Sequence, residues 1–193
     1  VPKFRFREPV RNLLGHRAGR CPEEKMVLQF ARAYRETFPS LHHGTTRTRT
    51  ALARQIPVNG YGIADFVSVC WEPVLEEAVP PAQDLETFVS NAKPVVRAFE
   101  LKLRDWRKAL KQAHRYRFFA HAAIAVLPPD ACGLALRFLD TFHAIQVGLW
   151  SFDSVSRSIT AHYTPRPSRP VDTRHHLKAL HLVATASKAL PTA

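Results

Sequence analysis

Residues 95–103 read Val-Val-Arg-Ala-Phe-Glu-Leu-Lys-Leu, an apolar run interrupted by Glu100 and Lys102. Its composition predicts a buried strand, and residues two apart on a strand share a face. A carboxylate and an ammonium therefore project side by side from a segment otherwise suited to burial. Buried charges are costly unless paired and hydrogen-bonded. A fold containing this strand has to satisfy the pair or use it.

Length and composition narrow the frame around that strand. A chain of 193 residues, 46% of them hydrophobic, is expected to form one domain with a sizeable core. The boundaries read as a basic arm over 1–21 and a single domain over 22–193. The net charge of +12 and the pI of about 10.3 favour a polyanionic partner, nucleic acid ahead of an anionic membrane surface. Cys21, Cys70 and Cys132 are far apart and form no C-x-x-C pair, which argues against a thiolate zinc site. A sparse, odd cysteine count suits a reducing compartment, so a cytoplasmic location is expected. No apolar stretch approaches the ~18 residues of a membrane span. The opening Val-Pro-Lys-Phe-Arg-Phe-Arg lacks the apolar core of a secretion signal.

The chain divides into a regular series of elements. Residues 1–20 carry six Lys or Arg without periodicity. Pro22, Glu23 and Glu24 open a predicted helix over 22–38, with Val27, Phe30, Ala31, Tyr34 and Phe38 as its stripe. Residues 39–47, with His42 and His43, read as a loop. A weak alternation over 48–57, the hairpin signal Asn59-Gly60 and the strong run Tyr61–Trp71 predict two strands. Asp65 interrupts the second, and Asp is depleted in strands. Residues 72–94 form an acidic, proline-bearing connection with a short helix near 83–92.

After the strand at 95–103, Asp105 is positioned to cap a helix over 106–121. Its apolar face carries Trp106, Ala109, Leu110, Ala113 and Tyr116, while Arg107, Lys108 and Lys111 lie on the rest. Gln112 and Tyr116 share one side. A strand at 122–127 is closed by Pro128-Pro129. A helix over 131–143, strands at 145–152 and 158–163, and a last helix over 172–188 complete the chain. This order predicts a mixed α/β fold around one central sheet. The crossover helix makes the strands at 95–103 and 122–127 parallel.

Asp65, Glu100 and Lys102 are the polar residues that strand composition would not choose. Two converging carboxylates and the backbone carbonyl between Glu100 and Lys102 make a hard oxygen site of the kind Mg²⁺ prefers. Such an ion polarises a phosphoryl oxygen and acidifies bound water, and Lys102 is placed to orient that water or stabilise developing charge. The bland counterpart is a Glu100–Lys102 salt bridge with Asp65 in a turn. No Walker A, G-x-G-x-x-G or G-x-S-x-G pattern is present. The Ser151–Ser158 region with Asp153 and His162 therefore lacks a nucleophile elbow.

Gly62-Ile63-Ala64-Asp65, Phe99-Glu100-Leu101-Lys102 and Gln112-Ala113-His114-Arg115-Tyr116 resemble the D, E-x-K and Q-x-x-x-Y elements of the PD-(D/E)xK nuclease superfamily, in its RecB-like form. The resemblance spans roughly residues 22–128, and Ala64 stands where the name-giving proline would be. It implies a restriction-endonuclease-like core (αβββαβ) with a C-terminal extension of helix and strands. The activity it implies is a DNA endonuclease using Mg²⁺, with Mn²⁺ as a substitute. Asp65 and Glu100 would be metal ligands and Lys102 the catalytic lysine. Glu24, or alternatively Glu23, would be the acid from the first helix. Gln112 and Tyr116 would support the site or touch DNA, as would Arg107, Lys108 and Lys111 on the basic helix. The resemblance also makes a homodimer an expectation. The alternative is a nucleic-acid-binding protein of the same fold that does not cleave.

Overall fold

The computed structural model describes residues 21–37, 49–71 and 85–186. The basic arm, the His42-His43 loop and most of the acidic connection lie outside them. The elements are α1 (Pro22–Thr37), β1 (Arg49–Val58), β2 (Gly62–Trp71), α2 (Leu85–Ala92), β3 (Val95–Leu101), α3 (Trp106–Tyr116), β4 (Ala122–Leu127), α4 (Pro129–Leu136), α5 (Leu139–Ala144), β5 (Val147–Asp153), β6 (Ser158–Tyr163) and α6 (Thr173–Ala186).

The six strands form one mixed sheet in the order β1-β2-β3-β4-β5-β6. β1, β2 and β3 make an antiparallel meander; β3, β4 and β5 run parallel; β6 returns antiparallel. The β1–β2 turn is closed by the Tyr61 N–H donating to the Val58 carbonyl at 2.9 Å. Gly60 sits there at φ +85°, a conformation that glycine adopts without steric penalty. The α3 crossover makes β3 and β4 parallel, with Glu100 opposite Ala125.

Strand alternation sends two sets of side chains to opposite faces. Phe66, Phe99, Leu101, Ile124, Trp150 and Phe152 pack under the α1 stripe of Met26, Val27, Phe30 and Tyr34. Val67, Val69, Val96 and Ala98 face α6 and the C-terminal end of α3 on the other side. Ala125, Leu127, Val147 and Leu149 are covered by the rest of α3 with α4 and α5.

Several boundaries differ from the sequence reading. α3 ends at Tyr116 and not at 121, with Arg117 as its C-cap. β3 ends at Leu101, because the chain turns there to begin α3. Asp105 caps that helix, its Oδ1 accepting from the Lys108 N–H at 2.9 Å. The helix expected over 131–143 is broken in two. Phe138 leaves the helical conformation at φ −120°, ψ 26°, and its N–H donates to the Ala135 carbonyl at 2.9 Å. It occupies the N-cap of α5 and makes no side-chain cap hydrogen bond. A Ser, Thr, Asp or Asn there would be worth ~0.5–2 kcal/mol. The Phe138 ring instead stacks on Trp106, with centroids 4.8 Å apart and 27° between planes.

A histidine pair, His176 buried and His121 half-buried, ties the segment after α3 to α6. His121 Nδ1 accepts from the Val96 N–H at 3.0 Å, and the His176 Nδ1–H donates to the Phe119 carbonyl at 2.8 Å. Burial foremost, then His176 and Arg97, pushes His121 down to about 4; burial also lowers His176. A histidine held neutral in the fold stabilises fully above its unfolded value near 6.5, and this contribution is lost as pH falls from there towards about 4. Allowing for partial exposure, His121 should contribute about 1–2 kcal/mol of acid sensitivity. Glu100 titrates in the opposite sense over part of this range, so the comparison that isolates the effect is with His121→Gln. The gap in urea midpoint between wild type and variant should narrow from pH 7.5 to pH 5; a constant gap refutes the assignment.

Candidate active site

The register Phe66↔Phe99 places Asp65, one residue earlier on β2, opposite Glu100, one residue later on antiparallel β3. Directly opposed residues have Cβ atoms about 4.5–5.5 Å apart and share a face. Both side chains point to the α3 side of the sheet, where the β2–β3 pairing ends. Glu100 is 1% exposed; Asp65 is half-buried.

Each carboxylate is held by specific donors. Asp65 Oδ2 accepts from the Leu101 N–H at 2.9 Å, and its Oδ1 accepts from Gln55 Nε2 at 3.3 Å. Gln55 adopts a left-handed backbone at φ +53°, uncommon for a non-glycine residue and here found beside a site. Glu100 Oε1 lies 2.9 Å from Lys102 Nζ. Glu100 Oε2 accepts from the Tyr116 hydroxyl, which also reaches the Ile63 carbonyl at 2.7 Å. One hydroxyl proton faces two acceptors, so both contacts are satisfied together when Glu100 itself carries a proton.

Burial foremost, then the neighbouring Asp65 charge, pushes Glu100 up to about 6. Burial also raises Asp65, against the Leu101 N–H and Lys102, which favour its charged form. Burial works against the Lys102 charge, but the carboxylates of Glu100, Asp65 and Glu23 outweigh it and raise its pKa. When all are ionised, three carboxylates face one ammonium, an excess of two negative charges. A divalent cation would neutralise that excess.

Of the two acids in the first turn of α1, Glu23 reaches the site, its Oε2 lying 3.6 Å from Lys102 Nζ. Glu24, preferred from the resemblance, lies instead within the electrostatic reach of Arg54 on β1. The two positions differ by ~100° about the helix axis. Which of them points over the sheet end depends on how α1 docks, which its own sequence does not specify. Gln112 lies on α3 one turn before Tyr116, and its buried Oε1 has no hydrogen-bond partner among the described residues. Arg107, Lys108 and Lys111 are exposed on the outer side of α3. Gln55 and the Ile63 carbonyl, which steady Asp65 and Tyr116, were missed from sequence. Gln55 carried no signal beyond a polar residue in a weak alternation, and a carbonyl carries none.

The second cluster of reactive side chains is accounted for by local structure. Ser151 Oγ lies 2.9 Å from His162 Nε2. Asp153 does not orient that histidine; its carboxylate accepts from the Val155 N–H at 2.8 Å and from Ser156 Oγ at 2.7 Å, closing the turn between β5 and β6. The proline-rich segment before α6 is pinned to the fold, with the Ser168 N–H donating to the His121 carbonyl at 2.9 Å and the Asp172 N–H to Phe118 at 2.8 Å. No group of three or more His, Cys, Asp and Glu side chains able to hold a metal occurs among the described residues. The oxygen donors at the end of β3 are the carboxylates of Asp65 and Glu100, short of the four ligands of a closed tetrahedral zinc site. No described helix is long and apolar enough to cross a membrane. No protein-family model matches the chain, and no curated protein matches it in sequence.

Proposed function

We propose that this chain is a divalent-metal-dependent DNA endonuclease built on a PD-(D/E)xK core. The observation that carries the reading is the cross-strand opposition of Asp65 and Glu100, with Lys102 held on Glu100 at 2.9 Å. The helix, three-stranded meander, crossover helix and parallel strand over residues 22–127 support it.

Asp65, Glu100 and the Leu101 carbonyl would hold Mg²⁺ or Mn²⁺. The Leu101 N–H faces Asp65, and N–H and C=O of one strand residue point to the same side, so its carbonyl is directed towards β2. Bound there, the ion supplies Lewis acidity towards a phosphoryl oxygen and a more acidic water. The chain's own residues do the positioning. Tyr116 fixes Glu100, Glu100 fixes the Lys102 ammonium, and Lys102 orients the attacking water and offsets charge gathering on the phosphate. Arg107, Lys108 and Lys111 on exposed α3 meet the backbone phosphates. A DNA-binding protein that does not cleave would keep this basic face but gain nothing from two opposed carboxylates beside phosphate.

Incubation with plasmid, single-stranded and branched DNA tests the reading. Cleavage is expected with Mg²⁺ or Mn²⁺, absent in EDTA, and lost in Asp65→Ala. Cleavage that persists in EDTA or survives Asp65→Ala refutes it.

A further inference from the structure

Where α3 begins, the surface carries an aromatic step whose inner ring, Trp106, belongs to the core and whose outer ring, Phe138, does not. Trp106 is 8% exposed and fixed by Phe142, with centroids 6.1 Å apart. Phe138 stacks on it and is 43% exposed. The Arg107 guanidinium lies 4.4 Å from the Trp106 ring centroid and 5.6 Å from that of Phe138. Phe138 stands where the helix breaks, at a cap position where a polar residue would serve local structure better. Arg104, Arg107 and Arg137 are exposed on the flanking chain, against two acids, Asp105, whose Oδ1 is engaged in capping α3, and Asp140 in the first turn of α5.

The position relative to the site gives the step a use. β3 and β4 are parallel, so α3 and α4 both start from the edge of the sheet where β3 presents Glu100 and Lys102. Trp106 follows Lys102 by four positions, at most ~14 Å of extended chain. Single-stranded nucleic acid is held by this combination of a rigid aromatic face and surrounding cations. Every base has a π-face to stack, whereas in an intact duplex that face is already covered by its neighbours. Charge complementarity favours the nucleic acid over an apolar peptide, because three arginines outnumber the two acids Asp105 and Asp140 around the step.

We propose that Phe138, backed by Trp106 and flanked by Arg107, stacks an unpaired base, so that the preferred substrate is DNA carrying single-stranded nucleotides next to the scissile bond. This rests on the nuclease reading for its substrate class, but it concerns different residues and is tested by binding alone.

The experiment measures binding in EDTA, where cleavage does not interfere. An aminopurine-labelled single strand and a duplex of equal length are titrated with the full chain and with Phe138→Ala and Phe138→Trp. Wild type should quench the aminopurine and bind the single strand well. Phe138→Ala should lose the quench and lower single-strand affinity by about 5–150-fold, the range for stacking one base, so that the single-strand to duplex ratio falls. Phe138→Trp should keep both. The proposal is overturned if wild type gives no quench, if Phe138→Ala weakens both DNAs equally or neither, or if Phe138→Trp behaves as Phe138→Ala. A chain that cleaves duplex DNA with Mg²⁺ yet shows no Phe138 effect removes this inference alone. A chain that binds neither DNA at low salt removes the nuclease reading with it.

Discussion

Lys102→Ala should reduce the rate of Mg²⁺-dependent DNA cleavage by about 10²–10³-fold, the range for losing one preorganised electrostatic group. The ammonium is 13% exposed and held between Glu100 at 2.9 Å and Glu23 at 3.6 Å, so it is already in place before substrate arrives. Removing it leaves Asp65, Glu100 and Glu23 facing one another without a cation. Metal would then be held no more weakly, since the site becomes more negative. The loss should therefore appear in the rate at saturating Mg²⁺ and not as a raised Mg²⁺ requirement. A full rate-against-Mg²⁺ series separates the two. A variant that cleaves within about threefold of wild type at saturating metal, or whose defect is cured by more Mg²⁺, shows that Lys102 is a structural partner of Glu100 and no more.

Phe30→Ala should destabilise the protein by about 3–5 kcal/mol, the range for truncating a fully buried Phe. Phe30 is 0% exposed, with its ring centroid 5.5 Å from Phe99, 5.7 Å from Phe66, 5.6 Å from Phe152 and 5.8 Å from Tyr34. It joins α1 to β2, β3 and β5 at one point. For a domain of this size the loss corresponds to a fall in Tm on the order of 10 °C. Thermal and urea unfolding measure it; a loss below about 1.5 kcal/mol would mean that the site collapses around the cavity and that Phe30 is not the centre of this face. The same residue anchors the helix that brings Glu23 to Lys102, so the variant should also broaden the local order of the site.

The sequence carried most of the frame because local signals and long-range needs agreed. The Asn59-Gly60 turn, the cap at Asp105 and the alternation around Asp65 and Glu100 each ask for the conformation that the sheet gives them. A crossover helix between two apolar runs left parallel pairing as the natural outcome. The break at Phe138 was not readable. Ala131, Ala135 and Phe142 keep helical spacing across it, and no proline or glycine marks the point; the stacking on Trp106 decides it. The choice between Glu23 and Glu24 turned on the docking of α1 against the sheet end. The support from Gln55 required a left-handed residue inside a strand, which composition gives no reason to expect.

The order of strands in the sheet repeats their order along the chain. Each strand therefore pairs with one made just before it, and no segment has to wait for a distant partner to be synthesised. Glu23, Gln55, Asp65, Glu100, Lys102 and Tyr116 all lie ahead of β4. Loops closed between sequence neighbours are the least costly in chain entropy and the fastest to form. During translation the groups that gather around Lys102 leave the ribosome before β5 and β6, so the acidic centre has all its members before the far half of the sheet exists. Late defects, such as truncation within β6 or α6, should thus strip cover and stability from a chain whose reactive groups are already in hand.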